Sequence, residues 1–235
     1  MQLNDPKVIV ALDYNSEKDA LNFVDRVDST LCNLKVGKEL FTIAGPQFVT
    51  KLVNKGFRVF LDLKFHDIPH TVQKACEAAA SLGVWIADVH VSGGREMMES
   101  TVKALSSNNS APKIIGVTVL TSMNDKTLNE LGVNVSAKEQ VKRLAALAFD
   151  CGLDGVVASA NESSMIKDIT AKDFLVVTPG IRPKGSDIGD QSRIMTPYDA
   201  IKAQSDYLVI GRPITKALDP IEALKDIQAQ IDSAL

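Results

Sequence analysis

The sequence predicts an α/β fold, a single (β/α)8 (TIM) barrel domain that spans residues 1–235. About eight short strands alternate with helices, and this number of βα units in roughly 200–250 residues is usual for such a barrel. The strands are nearly continuous runs of valine, isoleucine and leucine, as expected of a parallel sheet that is buried on both faces. Connections are short, and neither a Gly/Ser-rich linker nor a change of composition divides the chain. A doubly wound open sheet is the alternative, although no G-x-G-x-x-G pattern follows the first strand.

In the first half of the chain, each predicted strand is followed by a helix with a recognisable start or stop. Asn15 or Ser16 can cap the first helix, in which the apolar residues keep helical spacing. Gly56 follows the second helix and Gly83 ends the third, as glycine commonly does. The predicted strands of this half are 8–13, 33–37, 58–64 and 85–91, and the predicted helices after the last three are near 47–54, 72–79 and 96–105.

The second half repeats the same alternation. Gly152 ends a helix that contains regularly spaced apolar residues, and Pro213 suits the first turn of a short helix. The predicted strands are 113–120, 154–159, 174–178 and 206–210, and the predicted helices are near 137–151, 162–169 and 220–231.

The composition is that of an ordinary soluble globular protein. Of the 235 residues, 45% are hydrophobic and 23% are charged, and the net charge of -3 without a Lys/Arg-rich run argues against nucleic-acid binding. Cys32, Cys76 and Cys151 lie far apart without metal-binding spacing, which favours reduced thiols in a cytoplasmic protein. No signal peptide is visible, and no apolar stretch approaches the roughly 20 residues of a membrane span, so no membrane association is expected.

Charged residues collect at the ends of the first three strands. Asp62 and Lys64 fall on one face of the third strand, Asp13 ends the first strand, and Lys35 lies near the end of the second. Each of these residues alone fits an exposed salt bridge worth about 0–1 kcal/mol. Together they lie where a barrel places its active site, at the carboxyl ends of the strands, and burial would require lysine and aspartate to pair alternately.

The loops after the seventh and eighth strands predict a phosphate site. Barrels commonly bind phosphate with these loops and the N-terminus of a short helix. Gly180 and Gly211 allow close approach of the backbone, Pro213 opens a helix with free N–H groups, and Arg212 adds a charged donor. Two ordinary loops with a solvated arginine are the alternative. The polar, Gly-rich segment 184–191 between the loops fits a mobile lid, or a plain surface loop.

The three histidines do not predict a metal site. His66 and His70 are four residues apart, but Pro69 interrupts a helix between them, and no H-E-x-x-H pattern is present. His90 fits a core histidine better than a ligand. No nucleophile elbow supports acyl transfer.

The segment Asp62-x-Lys64-x-x-Asp67-Ile68-Pro69-x-Thr71 resembles the signature of the orotidine 5′-phosphate decarboxylase family. The resemblance extends along nearly the whole chain. It includes Ala11-Leu12-Asp13, the segment 35–41, Val119-Leu120-Thr121-Ser122, the segment 178–182, Gly189-Asp190-Gln191 and Val209-Ile210-Gly211-Arg212.

The resemblance implies loss of CO2 from carbon 6 of orotidine 5′-phosphate, the last step of de novo UMP synthesis, without a metal or organic cofactor. Lys64 matches the family's proton donor to carbon 6. Asp62 matches the carboxylate set against the substrate carboxylate. Lys35 and Asp67 complete the alternating charged network. The expected protein is a cytoplasmic lyase that acts as a homodimer.

The resemblance also implies further contacts with the substrate. In the family, the residues that match Asp67 and Thr71 reach into the partner's site across the dimer interface. Asp13 and Lys35 match contacts to the ribose hydroxyls, and Thr121 matches a contact near the base. The residues that match phosphate and lid contacts are Arg182, Gln191, Gly211 and Arg212, and Ile68 and Pro179 are also expected at the substrate.

Two alternatives stay open at this point. A related barrel decarboxylase that acts on a 3-keto-sugar phosphate has a similar Asp-x-Lys pattern but needs Mg²⁺. The continuation Ile68-Pro69-x-Thr71 and the segment 189–191 favour the nucleotide enzyme instead. A catalytically silent barrel that binds a phosphorylated ligand is the second alternative, and the complete charged set argues against it.

Overall fold

The computed structural model describes residues 5–108, 110–183 and 195–235. Its eight strands form a closed barrel in chain order, and β1 pairs with both β2 and β8. Each neighbouring pair is parallel, so all strands present their carboxyl ends at one face. The predicted (β/α)8 barrel is therefore confirmed, and the open sheet is excluded.

The strands are short and lie close to their predicted positions. Side chains such as Ile9, Phe60, Ile115 and Val177 fill the barrel interior, whereas the alternate residues of each strand pack against the helices. The strands are β1 (Val8–Ala11), β2 (Asn33–Gly37), β3 (Val59–Phe65), β4 (Ile86–His90), β5 (Lys113–Val117), β6 (Gly155–Val157), β7 (Leu175–Thr178) and β8 (Tyr207–Ile210).

The helices surround the barrel, and their caps follow from the sequence. The Ser16 side chain accepts a hydrogen bond from the Asp19 N–H and so caps α1. The helices are α1 (Glu17–Val24), α2 (Lys38–Asn54), α3 (Pro69–Ser81), α4 (Arg95–Leu105), α5 (Asp125–Glu130), α6 (Ala137–Asp150), α7 (Ser163–Ile169), α8 (Pro197–Lys202), α9 (Arg212–Thr215) and α10 (Pro220–Asp232).

Three helical segments differ from the sequence prediction. Helix α2 begins at Lys38 rather than near residue 47, and it is kinked at Gly45, where φ is +70°, just before Pro46. These two residues resemble a helix boundary, although the chain is helical on both sides of them. The six-residue helices α5 and α8 were not predicted, because they are too short to show a periodic apolar face.

Strand β3 is irregular where the charged residues lie. Its register against β4 shifts between Leu61 and Phe65. Within this interval Lys64 has a φ of +52°, in the left-handed region that residues with a side chain rarely adopt. The regular alternation of side chains between the two faces of the strand, which the sequence predicts, therefore ends before Lys64. The backbone changes direction at this residue, which lies at the mouth of the barrel.

No helix within the described residues has both the length and the apolar character that a membrane span requires.

Candidate active site

A chain of charged side chains lies at the carboxyl ends of the first three strands. The Lys35 ammonium lies 3.1 Å from Asp62 Oδ2 and 3.5 Å from Asp13 Oδ1. The Lys64 ammonium donates a hydrogen bond to the other oxygen of Asp62. Asp62 is thus held between two lysines, and lysine and aspartate alternate as burial requires.

The surroundings stabilise the charged forms of the central pair. Only 11% of the Lys35 side chain and 12% of the Asp62 side chain are exposed. Burial opposes ionisation of Asp62, but the ammonium groups of Lys35 and Lys64 outweigh it and lower the pKa of Asp62 well below its usual range. Burial likewise opposes the charge of Lys35, but Asp62 and Asp13 raise its pKa. The site therefore combines two cations and a carboxylate anion in fixed positions.

Asp88 in β4 is a fourth acidic group at this site, and the sequence analysis did not identify it. Its Oδ1 accepts a hydrogen bond of 2.8 Å from the backbone N–H of Lys64, and its Oδ2 lies 3.9 Å from the Lys64 ammonium. The residue is fully buried. Burial and the nearby charge of Asp62 raise the pKa of Asp88 well above its usual value. A signal was present, because a carboxyl group in the middle of an apolar, doubly buried strand is rare.

A mostly apolar cavity of about 340 Å³ opens beside the lysines. Phe60, Val117 and Val157 contribute apolar walls from the barrel interior, and Lys35, Asp62 and Lys64 form one side. Two residues with predicted substrate contacts, Thr121 and Pro179, also line this cavity, as do Leu120, Ser122 and Ala158, which were not identified as site residues. The cavity offers an apolar surface next to fixed charges.

A second cavity, of about 460 Å³, continues from the first and is rich in cations. The two cavities share Lys35, Asp62 and Pro179. The second cavity is also lined by Asp13 and by the loops after β7 and β8, through Gly180, Arg182, Gly211, Arg212 and Lys216.

The loops of this second cavity have the local structure that the sequence suggests. Gly180 has a φ of +79°, which favours glycine, and Pro213 lies in the first turn of α9. Lys216 was not identified from the sequence, because it follows the predicted motif. The three cationic side chains from these loops, Arg182, Arg212 and Lys216, together with the N-terminus of α9, favour an anionic group in this cavity.

Three of the predicted site residues lie apart from the charged cluster. Asp67 and Ile68 are exposed in the segment that joins β3 to α3, Thr71 is exposed in the first turn of α3, and Ile68 is 66% exposed. Asp67 Oδ1 accepts a hydrogen bond from the N–H of Ile68. Within the described ranges, no hydrogen bond or ion pair joins these residues to Lys35, Asp62 or Lys64. Gln191 and the predicted lid segment 184–191 lie outside the described residues.

Two of the histidines, His66 and His90, lie beside the site. The rings of His66 and His90 are 5.4 Å apart. Burial and the charges of His66 and Lys64 lower the pKa of His90. The described part of the chain contains no group of three His, Cys, Asp or Glu side chains arranged to hold a metal ion.

The arrangement suits one kind of chemistry. A fixed ammonium at the edge of a cavity stabilises negative charge that develops on a bound molecule, and it can then donate a proton to it. The adjoining cationic cavity would anchor a phosphate at a distance from the reacting atom, where binding energy can contribute to catalysis.

Comparisons with known proteins agree along nearly the whole chain. The sequence model of the family described as "Orotidine 5'-phosphate decarboxylase / HUMPS family" matches residues 6–227. A protein from Aliivibrio fischeri (strain MJ11) named orotidine 5′-phosphate decarboxylase is 57% identical over 234 residues, which cover 99% of this chain and 100% of that protein. A protein of the same name from Vibrio parahaemolyticus serotype O3:K6 is 59% identical over 230 residues, which cover 97% of this chain and 99% of that protein.

Solved structures are similar over the same extent. The crystal structure of orotidine 5′-phosphate decarboxylase from Lactobacillus acidophilus has a TM-score of 0.85 and 38% identity, and the match covers 97% of this chain and 100% of that chain. The crystal structure of an uncharacterized conserved protein from Geobacillus kaustophilus has the same TM-score and 39% identity, and it covers 95% of this chain and 99% of that chain.

Proposed function

The chain belongs to the orotidine 5′-phosphate decarboxylase / HUMPS family, and on that premise we propose that Lys64 protonates carbon 6 of the nucleotide after CO2 has left orotidine 5′-phosphate. The chain is an enzyme that decarboxylates orotidine 5′-phosphate to UMP, a step of pyrimidine nucleotide biosynthesis. The observation that carries the proposed mechanism is the position of the two lysines and Asp62 between an apolar cavity and a cationic one.

The two cavities suggest how the substrate lies. The pyrimidine base packs in the apolar cavity against Phe60 and Val117, with Thr121 near its edge. The ribose hydroxyls contact Asp13 and Lys35, which both line the second cavity. The phosphate then lies in the second cavity, with expected contacts from Arg182, Gly211 and Arg212, together with Gln191, and Pro179 lies where the two cavities meet.

The charged groups then act in sequence on the bound substrate. The Asp62 carboxylate stands beside the substrate carboxylate, and the two anions repel each other in the ground state. The bond between carbon 6 and the carboxylate breaks, CO2 leaves as a neutral molecule, and the electron pair remains on carbon 6. The Lys64 ammonium stabilises this charge and donates its proton to carbon 6. The resulting amine regains a proton from water before the next turnover.

A spectrophotometric assay tests the role of Lys64. Metal-stripped wild-type protein should rapidly remove the ultraviolet absorbance of the orotate group, and Lys64→Ala should lower kcat by at least about 100-fold. Lys138→Ala, at an exposed lysine of α6, is the matched control and should keep the wild-type rate. Wild-type activity in Lys64→Ala would refute the proposal. Activity that needs added Mg²⁺ would favour the sugar-phosphate type of site, and UMP binding without turnover would favour a silent barrel.

The remote phosphate provides a second test of the mechanism. If phosphate binding energy contributes to the chemical step, orotidine without its phosphate should lose kcat as well as affinity. Equal turnover of orotidine and its phosphate at saturation would contradict this use of the second cavity.

The exposed positions of Asp67 and Thr71 support an active homodimer in which each protomer completes its partner's site. Because both residues are exposed in the single chain, they are available to a second copy. Asp67→Ala and Lys64→Ala homodimers would each be impaired. A hybrid dimer of the two would keep one intact site, made of Lys64 from one protomer and Asp67 from the other.

Subunit mixing tests this arrangement. Random exchange between Asp67→Ala and Lys64→Ala should restore about a quarter of the wild-type activity, because half of the dimers are hybrids with one intact site. Mixing Asp62→Ala with Lys64→Ala is the control and should restore none, because these two residues belong to the same protomer's cluster. No recovery in the first mixture would contradict the shared site.

A further inference from the structure

The conformation of Lys64 requires an explanation that its own side chain does not supply. A φ of +52° at a lysine is unfavourable by roughly 1–2 kcal/mol, and such strain persists only when surrounding contacts hold it. The residue lies inside the register shift between β3 and β4, where regular strand pairing does not fix its backbone. A different contact must therefore hold the backbone at this position.

That contact is the hydrogen bond from the Lys64 N–H to Asp88. The bond is 2.8 Å long and joins β3 to β4 at the point where the register shifts. Asp88 is fully buried, and its neighbours along β4 are apolar, so its carboxyl group is fixed by packing. Asp88 Oδ2 has no hydrogen-bond partner among the described residues, and it lies 3.9 Å from the Lys64 ammonium.

We propose that Asp88 is a positioning residue for the decarboxylation, in which its Oδ1 holds the Lys64 backbone so that the ammonium reaches Asp62 and carbon 6 of the substrate. This inference rests on the proposed role of Lys64 as the proton donor. Asp88 acts through Lys64 and does not touch the substrate. Its function requires an acceptor oxygen at this point in the barrel, and it does not require a negative charge.

The buried environment supports an acceptor without charge. Burial and the neighbouring Asp62 carboxylate raise the pKa of Asp88, so the protonated form is favoured relative to an exposed aspartate. A protonated carboxyl group still accepts a hydrogen bond through its carbonyl oxygen. Asparagine has the same shape and presents the same oxygen, whereas leucine has a similar shape and presents none.

Three substitutions separate these properties, with kcat and KM for orotidine 5′-phosphate as the readout. Asp88→Asn keeps the acceptor. Asp88→Leu removes the acceptor but keeps the side-chain volume, and Asp88→Ala removes both. Thr101→Val is the control for loss of a buried hydrogen bond elsewhere, because Thr101 is buried in α4 and its hydroxyl donates to the Met97 carbonyl. Thermal unfolding and UMP binding report whether each variant is folded.

We expect Asp88→Asn and Thr101→Val to keep kcat within threefold of wild type. Asp88→Leu and Asp88→Ala should lose about 100-fold in kcat with KM changed by less than fivefold, because a displacement of about 1 Å at a reacting group costs this much in rate. If Asp88→Leu fails to fold, Asp88→Ala is compared with Asp88→Asn instead.

Two results would overturn the positioning role. One is wild-type kcat in a folded variant without the acceptor, and the other is an Asp88→Asn variant as impaired as Asp88→Ala. Lys64→Ala is measured alongside. Full activity in Lys64→Ala would refute the role of Lys64 itself. An inactive Lys64→Ala, together with active apolar variants at position 88, would refute only the inference about Asp88.

Discussion

The coupling free energy between Lys35 and Asp62, which form a buried ion pair, should be much larger than that of an exposed pair of similar geometry. At 3.1 Å between Lys35 Nζ and Asp62 Oδ2, the Coulomb attraction is about 5 kcal/mol for an effective dielectric constant near 20. Desolvation of the two groups offsets part of it. Lys64 still pairs with Asp62 when Lys35 is removed, which reduces the loss further. We therefore expect a coupling free energy of about 2–4 kcal/mol.

The pair formed by Lys51 and Glu17 provides the matched control. Its Nζ–Oε1 distance is shorter, at 2.6 Å, but 54% of the lysine and 36% of the glutamate side chain are exposed. An exposed pair contributes at most about 1 kcal/mol despite the shorter distance, because water and salt screen it. The comparison therefore separates the effect of burial from the effect of distance.

The assay is urea unfolding at pH 7 of wild type, Lys35→Met, Asp62→Asn and the double variant. The coupling free energy is the difference between the change in unfolding free energy of the double variant and the sum of the changes in the two single variants. The same four-protein cycle is run with Lys51→Ala and Glu17→Ala. A coupling below about 1 kcal/mol for Lys35 and Asp62, or an equal coupling in the exposed pair, would refute the reasoning from burial.

Three further predictions concern pH, packing and thiol reactivity. The lysines outweigh burial and lower the pKa of Asp62 below its unfolded value of 3.8, so the stability it contributes is present above about pH 4 and is lost as the pH falls through the folded pKa. Asp62→Asn should therefore reduce the fall in unfolding free energy as the pH drops below 4. An unchanged dependence of the unfolding free energy on pH would contradict this.

Gly155→Ala would place a Cβ 2.3 Å from a backbone oxygen of β7 and should lower the unfolding free energy by about 3 kcal/mol. Gly132→Ala, in open space at a φ of +80°, should cost about 1 kcal/mol, and equal losses would contradict the clash. Burial raises the pKa of Cys32 and of Cys76 to about 12, so neither thiol should react with a labelling reagent at pH 8 until the protein unfolds.

The fold could be predicted because each strand and most helices carry their own local signal. The apolar runs of β1 to β8 and the glycines after the helices define an alternation that only a few folds satisfy. The boundary of α2 was wrong because Gly45 and Pro46 usually end a helix, and here they only kink one. The helices α5 and α8 were missed because six residues are fewer than two turns.

The candidate site could be predicted only in part. Lys35, Asp62 and Lys64 were found together because the ends of the strands are visible in the sequence. The left-handed backbone of Lys64 has no such signal, because glycine or asparagine usually marks that conformation. Asp88 carries a signal, as a carboxyl group within an apolar strand, but its contact with Lys64 depends on the register between β3 and β4, which the sequence does not reveal. The role of Asp67 concerns a second chain and therefore stays a prediction.

The strained backbone at position 64 has a consequence for engineering. Glycine adopts a positive φ without strain, so Lys64→Gly would relieve the backbone strain at this position. That variant would remove the ammonium from beside Asp62 and abolish the proposed proton transfer. Directed evolution of a heat-resistant form should therefore screen activity in every round, because a change that relieves the backbone strain at this residue also removes the ammonium needed for catalysis.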